Sequence, residues 1–205
     1  LSGAERNVTG RDRALLRELA YGTCRRINEL DGLLALLLER PLKARDTDVR
    51  ALLLVGLYQL LHLRVPDHAA VAETVAGCAA LGKPWARGLV NAVLRNHQSR
   101  ATELRARLDR AQQLAHPQWL LEALERCWPS ACASIVAANN LPGPRTLRVN
   151  RQRTAREDWI TRAEQAGLEP RAGAIAPDAV VLGRAVDVAG LPGFAEGVVS
   201  VQDEA

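Results

Sequence analysis

Asn139-Asn140-Leu141-Pro142-Gly143-Pro144-Arg145-Thr146-Leu147-Arg148-Val149-Asn150 is the stretch in which this sequence changes its period. Its first six residues are a cluster of helix breakers, which marks a boundary between domains. The run that follows alternates, with Leu147 and Val149 on one face and Arg148 and Asn150 on the other, and that two-residue period is a strand. Before the cluster the pattern is helical, and after it come short strands around one helix. The fold class is therefore mainly α: a helical bundle over residues 1–138, then a small α/β unit over residues 139–205 that is expected to be incomplete at its C-terminal end.

Upstream, from Asp12 to about Asn139, no alternation persists and apolar residues recur at helical spacing. Asp31-Gly32, Arg40-Pro41, Val65-Pro66-Asp67, Lys83-Pro84 and His116-Pro117 divide this region at intervals of one helix each, predicting six or seven helices. Two of them read as central. Val49 to Leu61 is dominated by leucine, while Ala69 to Leu81 is interrupted mainly by Glu73 and Thr74, so both are expected to be enclosed on most sides. The small residues of the second, Ala69, Ala70, Ala72, Ala76 and Gly77 among them, allow close packing.

Downstream, Thr154 to Ala166 reads as an amphipathic helix with Thr154 and Glu157 as a capping box and Gly167 as its stop. Leu168–Arg171, Ala179–Leu182 and Val198–Val201 are the remaining strands. The chain has no methionine, so Leu1 is expected to follow a cut, and the last residues, Val198 to Ala205, stop within a structured segment.

Composition limits the function classes. With 48% hydrophobic and 24% charged residues the 205-residue chain can bury one large core or two modest ones. The richest apolar run, Ala51 to Leu63, is too short to span a bilayer and holds Gln59 and His62, and the opening residues lack the apolar core of a signal peptide. A cytoplasmic, reducing location is expected. Cys24, Cys78, Cys127 and Cys132 form no CxxC pair, and with His62, His68, His97 and His116 they read as packing residues rather than metal ligands. The net charge is +4, and of 27 basic residues only Lys43 and Lys83 are lysines. Arginine suits phosphates and base edges, although a GC-rich genome yields the same bias.

Two helices concentrate candidate binding residues. After Pro84, Arg87, Asn91, Arg95 and Gln98 share one side and Ala86, Leu89, Val90, Val93 and Leu94 the other, which is either a grip for phosphates or a solvated face. In the first helix Arg13, Arg17, Tyr21 and Cys24 share a side, with Arg11, Arg25 and Arg26 nearby; tyrosine beside arginine can stack a base or simply pack against a neighbour. Arg13, Arg17, Arg25, Arg87, Asn91, Arg95, Arg148 and Asn150 are the RNA-binding candidates. No GxGxxG follows a strand, and there is no P-loop, no GxSxG elbow and no close His/Asp/Ser or Cys/His grouping. Gly183, Gly190, Gly193 and Gly197 have the spacing of loops, so no catalytic, cofactor-binding or metal-binding residue is assigned.

Several segments together resemble the Sun/Fmu (RsmB) family of ribosomal RNA methyltransferases. They are Tyr21-Gly22-Thr23-Cys24-Arg25, Leu57-Tyr58-Gln59-Leu60, Val65-Pro66-Asp67-His68 through Val75, Gly88 through Arg95, Leu147-Arg148-Val149-Asn150, and Gly197 through Gln202-Asp203-Glu204-Ala205. The resemblance implies a NusB-like helical domain, a small α/β domain and, in the longer protein, a Rossmann-like domain binding S-adenosylmethionine and carrying two catalytic cysteines; none of the four cysteines here matches those. It implies 16S ribosomal RNA as partner and cytosine C5 methylation as the reaction of the longer protein, with this chain inactive alone and binding no cofactor. The sequence does not fix an oligomeric state, and a monomer is favoured. A stand-alone NusB-like RNA-binding or antitermination protein is the alternative, and a protein-binding helical scaffold a third.

Overall fold

The computed structural model describes residues 8–183 and 186–204, with every side chain among them except that of Arg11. The polar opening stretch before Val8 and the closing Ala205 lie outside the described residues. Contacts divide the chain into two units, Leu1–Leu141 and Pro142–Ala205.

Eight α-helices build the first unit among the described residues: α1 Gly10–Arg25, α2 Ile27–Leu37, α3 Thr47–His62, α4 Asp67–Ala80, α5 Arg87–Arg107, α6 Arg110–Gln113, α7 Gln118–Cys127 and α8 Cys132–Asn139. The helix beyond the six or seven predicted is the single turn α6. A capping box closes it, the Gln112 N–H donating to Asp109 Oδ1 at 2.8 Å and the Asp109 N–H to Gln112 Oε1 at 3.1 Å. Asp31-Gly32, predicted as a turn, instead lies inside α2, and the chain breaks earlier, at Arg26. Gly32 is there for space: a Cβ would meet the Gln112 side chain at 2.7 Å and that of Leu108 at 2.9 Å.

The core of this unit gathers Leu30 and Leu33 of α2, Val49, Leu53 and Leu57 of α3, and Val90, Leu94 and Leu104 of α5. The leucine-rich α3 is central, as its composition predicts. α4 is not: Ala70, Val71, Thr74 and Cys78 face inward while Ala72, Glu73, Ala76 and Ala80 are exposed. Alanine is the best helix former and is tolerated in water, so an alanine-rich helix need not be enclosed. Thr74, read as an interruption, is buried. Its hydroxyl donates to Ala70 O at 2.7 Å and accepts from Gln59 Nε2 at 3.3 Å, tying α4 to α3. Lys83 has a similar role, its ammonium lying 2.9 Å from Asp46 and 2.6 Å from Asp48 at the start of α3. A smaller cluster, Ala111, Leu121, Leu124, Cys132 and Val136, joins α6, α7 and α8.

The second unit is a four-stranded antiparallel sheet in the order β2-β3-β1-β4, with β1 Arg145–Val149, β2 Pro170–Ala172, β3 Ala179–Leu182 and β4 Val199–Val201. One helix, α9 Arg156–Gln165, packs against it. Leu147, Val149, Val180, Leu182 and Val199 meet Trp159 and Ala163 of α9 in its core. Trp159 is fully buried, and its indole N–H donates to Pro192 O at 2.9 Å. The predicted capping box of Thr154 and Glu157 does not form. The helix starts two residues later because Asn150 to Arg153 close a turn first, the Arg153 and Thr154 N–H groups both donating to Asn150 O, and the N-cap residue Ala155 has no side-chain acceptor. Gly167 does stop α9, at φ +71°, where the Leu168 N–H reaches back to Ala163 O at 3.0 Å. Glu169 is also left-handed, at φ +48°, which delays β2 to Pro170 instead of the expected Leu168.

Candidate nucleic-acid interface

α5 presents its polar stripe as the period predicts. Arg87, Asn91 and Arg95 are exposed while Ala86, Val90, Val93 and Leu94 are buried. Gln98 is half-buried and spent internally, accepting from Arg95 at 3.1 Å and donating to Asp67 at the start of α4 at 3.1 Å. The bridge fixes Arg95 in direction. Arg87 has no ion pair among the described residues, and beside it in sequence stands Trp85, 58% exposed. Trp85 was legible only as an aromatic residue in a Lys-Pro turn ahead of an arginine helix, a pattern that suits base stacking.

On α1 the stripe is less available. Arg13 is half-buried, its Nη2 donating to Val8 O at 3.4 Å and its Nε buried without a partner among the described residues. Arg17 is half-buried and already engaged within the protein. Arg25 is half-buried, near enough to the Tyr58 phenol to act on its ionisation. That phenol is pushed up to about 12, by burial first and by its hydrogen bond to the Glu18 carboxylate second, so it remains a donor. Tyr21 and Cys24 are the exposed members of this face.

The second unit gathers its two candidates into one hollow. About 470 Å³ of space at the end of β1 is lined by Arg148, Asn150, Arg151, Gln152, Asp178 and Ser200 among others. Strand register sets this up: Arg148 stands beside Ala179 of β3 and Ser200 of β4 on the sheet face opposite the core, and such small neighbours leave its guanidinium clear. Arg148 is exposed and has no ion pair among the described residues. Asn150 is half-buried and holds the wall together, donating to Gly197 O at 3.2 Å and accepting from the Gln152 N–H at 3.1 Å. Arg151 lies 3.2 Å from Asp178 and contributes a second cation at the rim. The sequence reading missed Arg151, and also a larger hollow of about 760 Å³ at the other end of β1, where Arg145 and Arg171 stand with Thr146, Gln202 and Asp203. Arg171 becomes visible as a site residue only through register, which places it in line with Val181 and Thr146 across three strands.

The histidines are divided. His116 and His62 are tied into the structure, His116 by donation from Nδ1 to Leu114 O at 2.7 Å and a 3.2 Å contact of Nε2 with the Asn139 amide, His62 by the buried carboxylate of Glu29 at 3.0 Å. His68 is exposed, contrary to a packing role. His97 is buried and neither ring nitrogen has a partner among the described residues.

Two family models match the chain: the NusB family over residues 2–99, and the Methyltr_RsmF/B-like, ferredoxin-like domain over residues 116–189. Ribosomal RNA small subunit methyltransferase B of Pseudomonas putida is 52% identical over 201 residues, 97% of this chain and 46% of the relative. The chain is similar to this methyltransferase B protein over nearly its whole length. The protein of the same name from Klebsiella pneumoniae is 43% identical over 200 residues, again 97% of this chain and 46% of the relative. The chain thus spans about half the length of the curated methyltransferase B proteins it matches. The crystal structure of PH0851 has the same fold, with a TM-score of 0.71 at 15% identity over 95% of this chain and 45% of the other.

Gly193 at φ +74° and Gly197 at φ +70° sit in the turns leading to β4, and among the described residues no strand runs through glycines into a helix N-terminus, the arrangement that presents free N–H groups to a nucleotide-like cofactor. Among the described residues no helix is long and apolar enough to cross a membrane.

Proposed function

We propose that this chain is the RNA-binding, substrate-positioning part of an S-adenosylmethionine-dependent methyltransferase acting on cytosine C5 of 16S ribosomal RNA, the catalysis residing in a further domain of the longer protein. The observation that carries the reading is the succession of a NusB-type helical domain and an RsmF/B-type ferredoxin-like domain on one chain, at 52% identity to a ribosomal RNA methyltransferase over nearly its whole length. A stand-alone NusB-like protein has no need of the second domain. The exposed face of Arg87, Asn91 and Arg95 supplies phosphate contacts, and the hollow of Arg148 and Asn150 meets an unpaired nucleotide. Arg13, Arg17 and Arg25 contribute at most positive potential from α1, since two of the three already have internal contacts.

Filter binding of the chain to a 16S ribosomal RNA hairpin across a salt series tests this. Affinity is expected to fall steeply with salt, and replacing Arg87 or Arg95 by alanine should lower the slope of log K against log salt by about one unit each, as one fewer counterion is released per lost contact. A salt-independent affinity, or none, refutes the proposal.

A further inference from the structure

Beside α5, away from its arginine face, the helical unit contains a hollow of about 400 Å³ whose walls include Leu33, Leu61, Ala101 and Leu108, with His97 and Arg105 among its lining residues. That volume lies within the range of small-ligand sites. Two features set it apart from a packing defect. His97 is 3% exposed, lines the hollow, and leaves both ring nitrogens unpaired among the described residues, whereas buried polar atoms are ordinarily satisfied. The α5 helix also breaks here: Arg100 has non-helical angles, φ −127° and ψ 19°, and redirects the helix between His97 and Arg105. A bidentate pair with Glu103, at 2.9 and 2.7 Å, holds that bend.

The chemistry of the lining specifies an occupant. Burial lowers the pKa of His97, against an opposing effect of Asp67, so the ring is neutral and offers one N–H and one lone pair. Thr102, Gln113 and Glu29 also line the hollow, the Glu29 carboxylate already held by His62 at 3.0 Å, and the apolar part of the wall accepts a flat, uncharged ring. Arg105 is exposed and, while Arg100 and Arg107 share Glu103, has no ion pair among the described residues. A nucleotide meets this description, being a flat ring with both donors and acceptors that is linked to an anion. We propose that this hollow holds one unpaired nucleotide of the bound RNA, its base edge on His97 and its phosphate on Arg105. The proposal rests on the RNA-binding reading and adds to it a second nucleotide site, on a different unit from the Arg148 hollow.

The test uses the full chain with ring-nitrogen-labelled histidine and a single-stranded RNA hexamer of mixed sequence. Titration should shift the His97 ring-nitrogen resonances. His97→Leu and Ala101→Phe, which remove the polar edge and fill the space, should each weaken hexamer binding at least about tenfold, with melting temperatures at or above that of the unaltered chain for His97→Leu. Arg105→Ala should weaken binding and flatten its salt dependence. Unmoved resonances, or unaltered affinity in folded His97→Leu, overturn the proposal and leave a water-filled hollow. An acidic aromatic hexapeptide that shifts His97 where the RNA does not overturns it in favour of a protein partner. Hairpin binding that needs Arg87 but not His97 defeats this site alone; a hexamer that shifts His97 while the ribosomal hairpin fails to bind defeats the ribosomal reading and spares the site.

Discussion

Gly22 shows how one missing Cβ fixes the seat of a helix. It lies on α1 in the Tyr21-Gly22-Thr23 segment, and a methyl group there would overlap the hydroxyl end of the Tyr58 ring of α3, which is itself 4% exposed and hydrogen-bonded to Glu18 of α1. Gly22→Ala must displace either the ring or the helix, and overpacking of this kind costs about 1–3 kcal/mol despite alanine's better helix propensity. A melting curve lowered by several degrees is the expected result. His97 carries a second prediction at this scale. Burial holds its pKa below the ordinary 6.5, so below that pH the unfolded chain binds a proton that the folded one refuses. The linkage therefore leaves stability unaffected above about pH 6.5 and removes it as pH falls toward the depressed folded value. Denaturant unfolding at pH 7 and pH 5 should show a smaller loss for His97→Leu than for the unaltered chain. The sequence marked both residues, Gly22 by motif and His97 as packing. Neither the ring over Gly22 nor the unpaired nitrogens of His97 could be read from it, because each depends on segments tens of residues away.

β1 and α5 are the elements of the proposed interface, and they hold their arginines differently. The strand sets Arg148 between Ala179 and Ser200 on the face opposite the core, so its side chain leaves the backbone in a defined direction. α5 leaves Arg87 on an open helix surface. Arg148→Ala is accordingly expected to reduce discrimination between the ribosomal hairpin and a scrambled one by about 1–3 kcal/mol, the size of a base-edge contact, whereas Arg87→Ala weakens both RNAs alike. Competition binding with the two hairpins separates these outcomes, and equal losses on changing Arg148 would remove the base-reading role. The alternation of Leu147 to Asn150 and the helical stripe of α5 were legible because side-chain direction follows from backbone period. The boundaries of α9 and β2 were not. The Asn150 turn postponed the first and the left-handed Glu169 the second, and both are choices among competing local hydrogen bonds.

At the scale of the whole molecule, the two units have separate cores that share no residue, one of leucine and valine from α2, α3 and α5, the other of strands around Trp159. All four cysteines belong to the first unit, where Cys78 and Cys132 are buried. With no glycine loop ahead of a helix N-terminus among the described residues, calorimetric titration of the chain with S-adenosylmethionine should give no saturable heat, and a clear binding isotherm would place a methyl-donor site in this chain. Sequence by itself determined the order of helical and strand-bearing domains, the faces of α5 and β1, and the family resemblance, since periodicity and motif spacing are properties of neighbouring residues. The tertiary structure alone decided which polar side chains are spent inside the protein and which are free for a partner. Gln98, Asn150, Lys83 and Asn139 are consumed by internal hydrogen bonds, while Arg87, Arg105 and Arg148 have no ion pair among the described residues. That division depends on which distant segments meet in space, and a buried donor or acceptor is stable only if such a meeting supplies its partner.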